Sequence, residues 1–220
     1  MSANDCKQTL KICYAMTMIY RMFEPEIKKD DFRFTGMGNL KSEKIVLLLV
    51  PESYSNQFER IRFSDKVAQW GYETVVCAVS STETQRISTM GFDDLNIVVE
   101  KIDHEIKFLK ESHQITLVAL GELAGTSLLL CLNGHNILKI ILLNPLFCSG
   151  ISVKLSRIEI PTFILYSGNS KTFSASSSRK YHDLIAGSSL HNMPGTQRGE
   201  MLEKRTQFFS YLKTFLADDQ

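Results

Sequence analysis

Leu120-Gly121-Glu122-Leu123-Ala124-Gly125 joins two apolar stretches of very different length. The seven residues 114–120 before it have the length and β-branched content of a strand, and 122–132 after it have the length of a helix. Glycines at both ends of the hexapeptide, followed by small Thr126 and Ser127, fit a sharp strand-to-helix turn where backbones approach closely. Residues 115–132 are apolar enough to suggest a membrane span. Glu122 and two glycines in their middle favour a buried strand running into a buried helix.

The same alternation repeats outward from this turn. Residues 44–50 form a continuous apolar run stopped by Pro51, as expected for a strand buried on both faces. Further strands are predicted over 32–35, 74–79, 137–143, 161–166 and 189–193. Helices are predicted over 63–70, where Gly71 supplies the C-terminal cap, and over 92–111, 174–185 and 199–216. Strands alternating with amphipathic helices imply an α/β domain with a mostly parallel sheet of about six to seven strands, covered on both faces. Connections this short leave no room for a large lid. A further helix over 6–23 precedes the repeat, which divides the chain into an N-terminal helical extension, 1–28, and an α/β domain, 29–220. The methionines and aromatics of that first helix suit an adaptable apolar surface, packed on its own domain or against a partner.

Composition excludes several classes. Hydrophobic residues are 44% and charged residues 22% of the 220, which is globular and not disordered. A net charge of +1 gives no electrostatic case for nucleic acid or an anionic membrane. Cys6, Cys13, Cys77, Cys131 and Cys148 are odd in number, without a CxxC pair or a Cys/His cluster at zinc spacing. There is no Asn-x-Ser/Thr acceptor and no secretory-type leader. These features point to free thiols in a reducing compartment inside the cell, the cytoplasm above all, with no metal and no cofactor.

The turn resembles the nucleophile elbow of the α/β-hydrolase superfamily, strand–Gly-x-Ser-x-Gly–helix, often Gly-Glu-Ser-Ala-Gly in its carboxylesterase branches. Further likenesses are Ala68-Gln-Trp-Gly-Tyr72 before a second apolar strand and Pro161-Thr-Phe-Ile-Leu-Tyr-Ser-Gly168, similar to the strand that delivers the acid. Pro194-Gly195 before the last helix looks like the histidine loop. Together they span about residues 45–216. The resemblance implies the α/β-hydrolase fold and places the nucleophile, acid and histidine at Leu123, Lys171 and Arg198. None of these can do the work: leucine has no lone pair, and a guanidinium is no base near neutral pH. Where the family supplies an oxyanion donor, this chain has Pro51, which lacks an N–H, and the carboxylate of Glu52.

The expectation is therefore a degenerate member of that superfamily that works by binding, as a complex subunit, scaffold or regulator. The candidate ligand-binding residues are Pro51, Glu52, Glu122, Leu123, Phe147, Cys148, Lys171 and Arg198. They surround a crevice above Leu123 that is expected to be open. The expected partner is another protein, with a small anionic ligand held by Lys171 and Arg198, or a hydrophobic one in the crevice, as further occupants. Two alternatives stay open: a small esterase or thioesterase with another nucleophile, and a small-molecule receptor. Among substitute nucleophiles, Ser127 falls in helix packing and Cys148 lacks an evident base, while His191 falls inside the last strand.

Overall fold

The computed structural model describes residues 26–29, 31–37, 40–133, 136–168, 175–193 and 200–217. Their strands are β1 (Glu26–Lys29), β2 (Phe32–Thr35), β3 (Lys44–Pro51), β4 (Glu73–Val79), β5 (Gln114–Leu120), β6 (Ile137–Leu143), β7 (Thr162–Ser167) and β8 (Ser189–Met193). They form one sheet in the order β1-β2-β4-β3-β5-β6-β7-β8. From β4 through β8 every pairing is parallel; β2 runs antiparallel to both β1 and β4. The sheet has one strand more than the sequence suggests. The addition is β1, Glu-Ile-Lys-Lys, and the expected domain boundary after residue 28 falls inside it.

Alternation along the central strands decides what packs where. Ile45, Leu47 and Leu49 of β3 face one way with Ile115, Leu117 and Ala119 of β5. Val46, Leu48 and Val50 face the other way with Val118 and Leu120. All eleven are buried, as expected of parallel strands covered on both faces. The first face is covered by α4 (Phe92–Ser112), α5 (Ala124–Leu132) and α6 (Ala175–Leu184), and α3 (Ser81–Thr89) adds Ile87 to the same core. The second face is covered by α1 (Glu52–Arg60), α2 (Phe63–Ala68), α7 (Glu200–Glu203) and α8 (Arg205–Ala217). Inward residues of α4 recur as Leu95, Val98, Val99, Ile102, Ile106 and Leu109, the 3.6-residue stripe that makes this segment helical.

The single closing helix expected over 199–216 is broken at Lys204 into α7 and α8. The carbonyls of α8's last turn, which have no partner within the helix, are met from the sheet. Lys139 Nζ donates to the carbonyls of Phe215 at 2.9 Å and Leu216 at 3.2 Å, and Tyr72 Oη donates to Leu216 at 3.1 Å. The helix expected over 6–23 lies outside the described residues. Among the described residues, no helix is long and apolar enough to cross a membrane.

Candidate functional site

All parallel strands end at one edge of the sheet, and the turn after β5 lies at its centre. Leu120 leaves the strand extended, at φ −106° and ψ 128°. Gly121 then takes φ +64°, a value that would strain most side chains. Residues Gly121–Leu123 form a single 3₁₀ turn that runs directly into α5. Leu123 itself has φ −80° and ψ −1°, an ordinary right-handed conformation. The turn thus places its whole conformational demand on glycine. The Leu123 side chain is completely buried, in the same core cluster as Leu95, Leu128, Ile151 and Leu155.

This corrects the expectation of an open crevice. Leu123 and Pro51 are both buried and offer a ligand no surface. The reason is the 3₁₀ segment Ser149–Arg157 after β6, which brings Ile151 and Leu155 into the core that Leu123 joins. Of the other candidate residues, Glu122, Phe147 and Cys148 are half-buried and Glu52 is exposed. Pro51 starts α1 from an extended conformation and gives no N–H. Glu52 adds a carboxylate to that first turn, 3.7 Å from Arg33 Nη1 across on β2.

Cys148 puts a nucleophilic thiol near the turn. It begins the 3₁₀ segment, and the backbone N–H groups of Gly150 and Ile151 lie on the side of its Sγ. Burial pushes the thiol up; those two N–H groups oppose the shift without cancelling it. The backbone around it is held by Tyr181, a fully buried phenol on α6. Tyr181 Oη accepts from the Cys148 N–H at 3.0 Å and donates to the Leu146 carbonyl at 3.0 Å. Its ring lies 5.0 Å from that of Phe147, and Lys180 Nζ lies 5.2 Å from the Phe147 ring centre. Leu146 N–H donates to the Gly121 carbonyl at 2.9 Å, tying this loop to the turn.

No protein-family model and no curated protein sequence matches the chain. Solved structures do. A predicted CIB-like hydrolase from Thermoplasma acidophilum superposes with a TM-score of 0.70 at 17% identity, over 87% of this chain and 95% of that one. MenH from S. aureus gives 0.66 at 13%, over 86% and 99%. The esterase EaEST from Exiguobacterium antarcticum gives 0.65 at 15%, over 85% and 96%. The chain has the α/β-hydrolase fold.

Within an α/β-hydrolase fold, the remaining candidates divide cleanly. Lys171 and Arg198 lie outside the described residues. Ser127 on α5 is buried and donates to the Ala124 carbonyl at 2.7 Å, so it is spent on its own helix. His191 on β8 stacks on Phe163 at 4.7 Å and stands 5.7 Å from Tyr211, inside an aromatic cluster. One feature of this edge was missed from sequence. Asn144, at the end of β6, takes φ +44° and is fully buried. Its Oδ1 accepts from Ser167 N–H at 2.6 Å, and its Nδ2 donates to Ser167 Oγ at 3.1 Å and lies 3.8 Å from Met201 Sδ. It ties the ends of β6 and β7 to α7. Asparagine is among the few residues that tolerate this backbone conformation, and Asn144-Pro145 directly after an apolar run was the available signal.

Proposed function

We propose that this chain acts by binding and not by serine hydrolysis, as a subunit, scaffold or regulator within a protein complex. One observation carries the reading: the position where an α/β-hydrolase fold presents its nucleophile holds Leu123, buried and in an unstrained conformation. A nucleophile there must be exposed on a strained turn to meet a carbonyl. Pro51 beside it supplies no oxyanion donor. The proposed contact residues are those of the partly exposed rim, Glu52, Glu122, Phe147 and Cys148, together with the sequence candidates Lys171 and Arg198. The favoured partner is another protein, with a small anionic or hydrophobic ligand as the receptor variant of the same reading. Free thiols at Cys77, Cys131 and Cys148 support a reducing, intracellular setting.

A second reading, an esterase or thioesterase with an unusual nucleophile, has two supports. Solved structures of the same fold include proteins described as esterases and carboxylesterases. Cys148 also lies at the carboxyl edge of the sheet, where such folds do their chemistry. One experiment separates the two. The protein is treated with a fluorophosphonate probe and an activated aryl thioester, then weighed by native mass spectrometry after gentle isolation from its source. Co-purifying polypeptides without labelling or turnover support the binding reading. Labelling or turnover that disappears in Cys148→Ala establishes the enzyme reading in its place.

A further inference from the structure

We propose that the groove between the start of β2 and the outer side of α4 is the docking site of this chain's own N-terminal segment, residues 6–23. The groove has a volume of about 430 Å³, and Phe32 and Ile97 supply its apolar part. Ile97 is 56% exposed, a large aliphatic side chain left in water on a helix whose neighbouring face is fully packed. Ile97, Glu100, Lys101 and His104 follow helical spacing, so they form one continuous stripe beside the buried face of α4. Asp31, Glu100 and Glu105 against Lys101 leave the lining with a net negative charge.

The N-terminal segment is complementary in both respects. Between residues 6 and 23 it carries Lys7, Lys11 and Arg21 and no acidic residue. Leu10, Ile12, Tyr14, Met16, Ile19 and Tyr20 spread apolar surface around most of a helical circumference, and a helix of that kind needs cover. Reach is sufficient. The chain enters β1 at Glu26, opposite Thr35, and leaves it at Lys29, opposite Phe32. The groove therefore begins about 10 Å along β1 from the point of entry. A helix of about seven residues spans that distance, so the 18 residues 6–23 are more than long enough to reach Phe32 from the start of β1. The segment's methionines, Met16, Met18 and Met22, suit an irregular floor. This placement rests on the groove and the segment, and is independent of what the carboxyl edge of the sheet binds.

Hydrogen exchange on the full chain, at a concentration where native mass spectrometry finds a monomer, tests it. Amides within 6–23 are expected to exchange at least about tenfold more slowly than in the free peptide. In Ile97→Glu/Glu100→Lys they are expected to reach the free rate while β3 and β5 stay protected. Both substituted side chains are exposed, so the fold is not at stake. Lys7→Glu/Lys11→Glu, made on the segment itself, is expected to free the same amides with the groove intact. Free-rate exchange in the wild-type monomer overturns the proposal, as does protection that survives either double variant. Protection that appears only as concentration rises assigns the groove to a second copy, and protection only on anionic vesicles assigns the segment to a lipid surface. Each of those outcomes also overturns it.

Discussion

Gly125 lies against Cys148: a Cβ placed on the glycine would stand 3.0 Å from the Cβ of Cys148 and 3.5 Å from its Sγ. From sequence, this glycine is explained by the sharpness of the turn, yet the turn's positive φ belongs to Gly121. Gly125 is small because the loop after β6 crosses directly over α5. A valine here puts two more carbons into a contact that has no room for one. Gly125→Val is expected to destabilise the fold by about 2–3 kcal/mol, the upper range for overpacking. For a chain of this size that lowers Tm by roughly 5–10 °C. A thermal melt reads it, and an unchanged Tm would mean that the loop moves aside freely.

A substitution at Leu123 tests the binding reading against the enzyme one. If only the nucleophile were missing, Leu123→Ser would restore acyl transfer. The geometry argues otherwise: the side chain points into the core that includes Ile151 and Leu155, and Pro51 provides no N–H for an oxyanion. The variant is expected to react with fluorophosphonate no faster than wild type. It should lose about 3–5 kcal/mol of stability, from the cavity and from a hydroxyl buried without a partner. An efficient esterase from this one change would show that the turn opens in solution, and would favour the enzyme reading over the binding one.

The Tyr181 hydroxyl satisfies both the Cys148 N–H and the Leu146 carbonyl, so it holds the loop that covers Leu123. Tyr181→Phe keeps the ring against Phe147 and removes only the bridge. The expected cost is about 1–3 kcal/mol for two backbone groups left without a partner. The sharper readout is the thiol. Burial holds Cys148 mostly protonated near neutral pH, so wild type should alkylate slowly with iodoacetamide. Tyr181→Phe should alkylate several-fold faster as the loop loosens. Equal rates in the two proteins would show that the bridge does not hold the loop.

What could be read from sequence follows the apolar pattern. β3, β5 and β6 are continuous apolar runs, and their lengths and spacing sufficed to place them. β1 escaped because Glu26, Lys28 and Lys29 leave one apolar residue in four, as suits a strand at the sheet's edge. α1 and α3, Glu52–Arg60 and Ser81–Thr89, escaped because each buries only two or three side chains of nine. The start of α3 was nevertheless available, since Ser80 Oγ accepts from the Glu83 N–H at 3.2 Å as an N-cap. At the turn, sequence identified the leucine but not its burial. That depends on Ile151 and Leu155, thirty residues away and brought in by a segment with no strong periodicity.

The buried thiols give a last prediction, in pH. Cys77 on β4 and Cys131 on α5 are buried, and loss of solvation pushes both well above the ordinary thiol range. In the unfolded chain they ionise near pH 8.5. Below that value both states hold the proton and the thiols have no effect on the pH dependence of stability. Above it the unfolded chain releases protons that the native one retains, so the native state binds more protons and stability falls as pH rises. The slope is about 1.4 kcal/mol per pH unit for each thiol. Urea titrations between pH 7 and 10 should therefore show a flat region followed by a decline beginning near 8.5. Cys77→Ala, which keeps an apolar group on the strand, is expected to lower stability at pH 7 and make the alkaline decline shallower. A decline equally steep in the variant would mean that Cys77 is already ionised or exposed in the native protein, contrary to its position in the sheet.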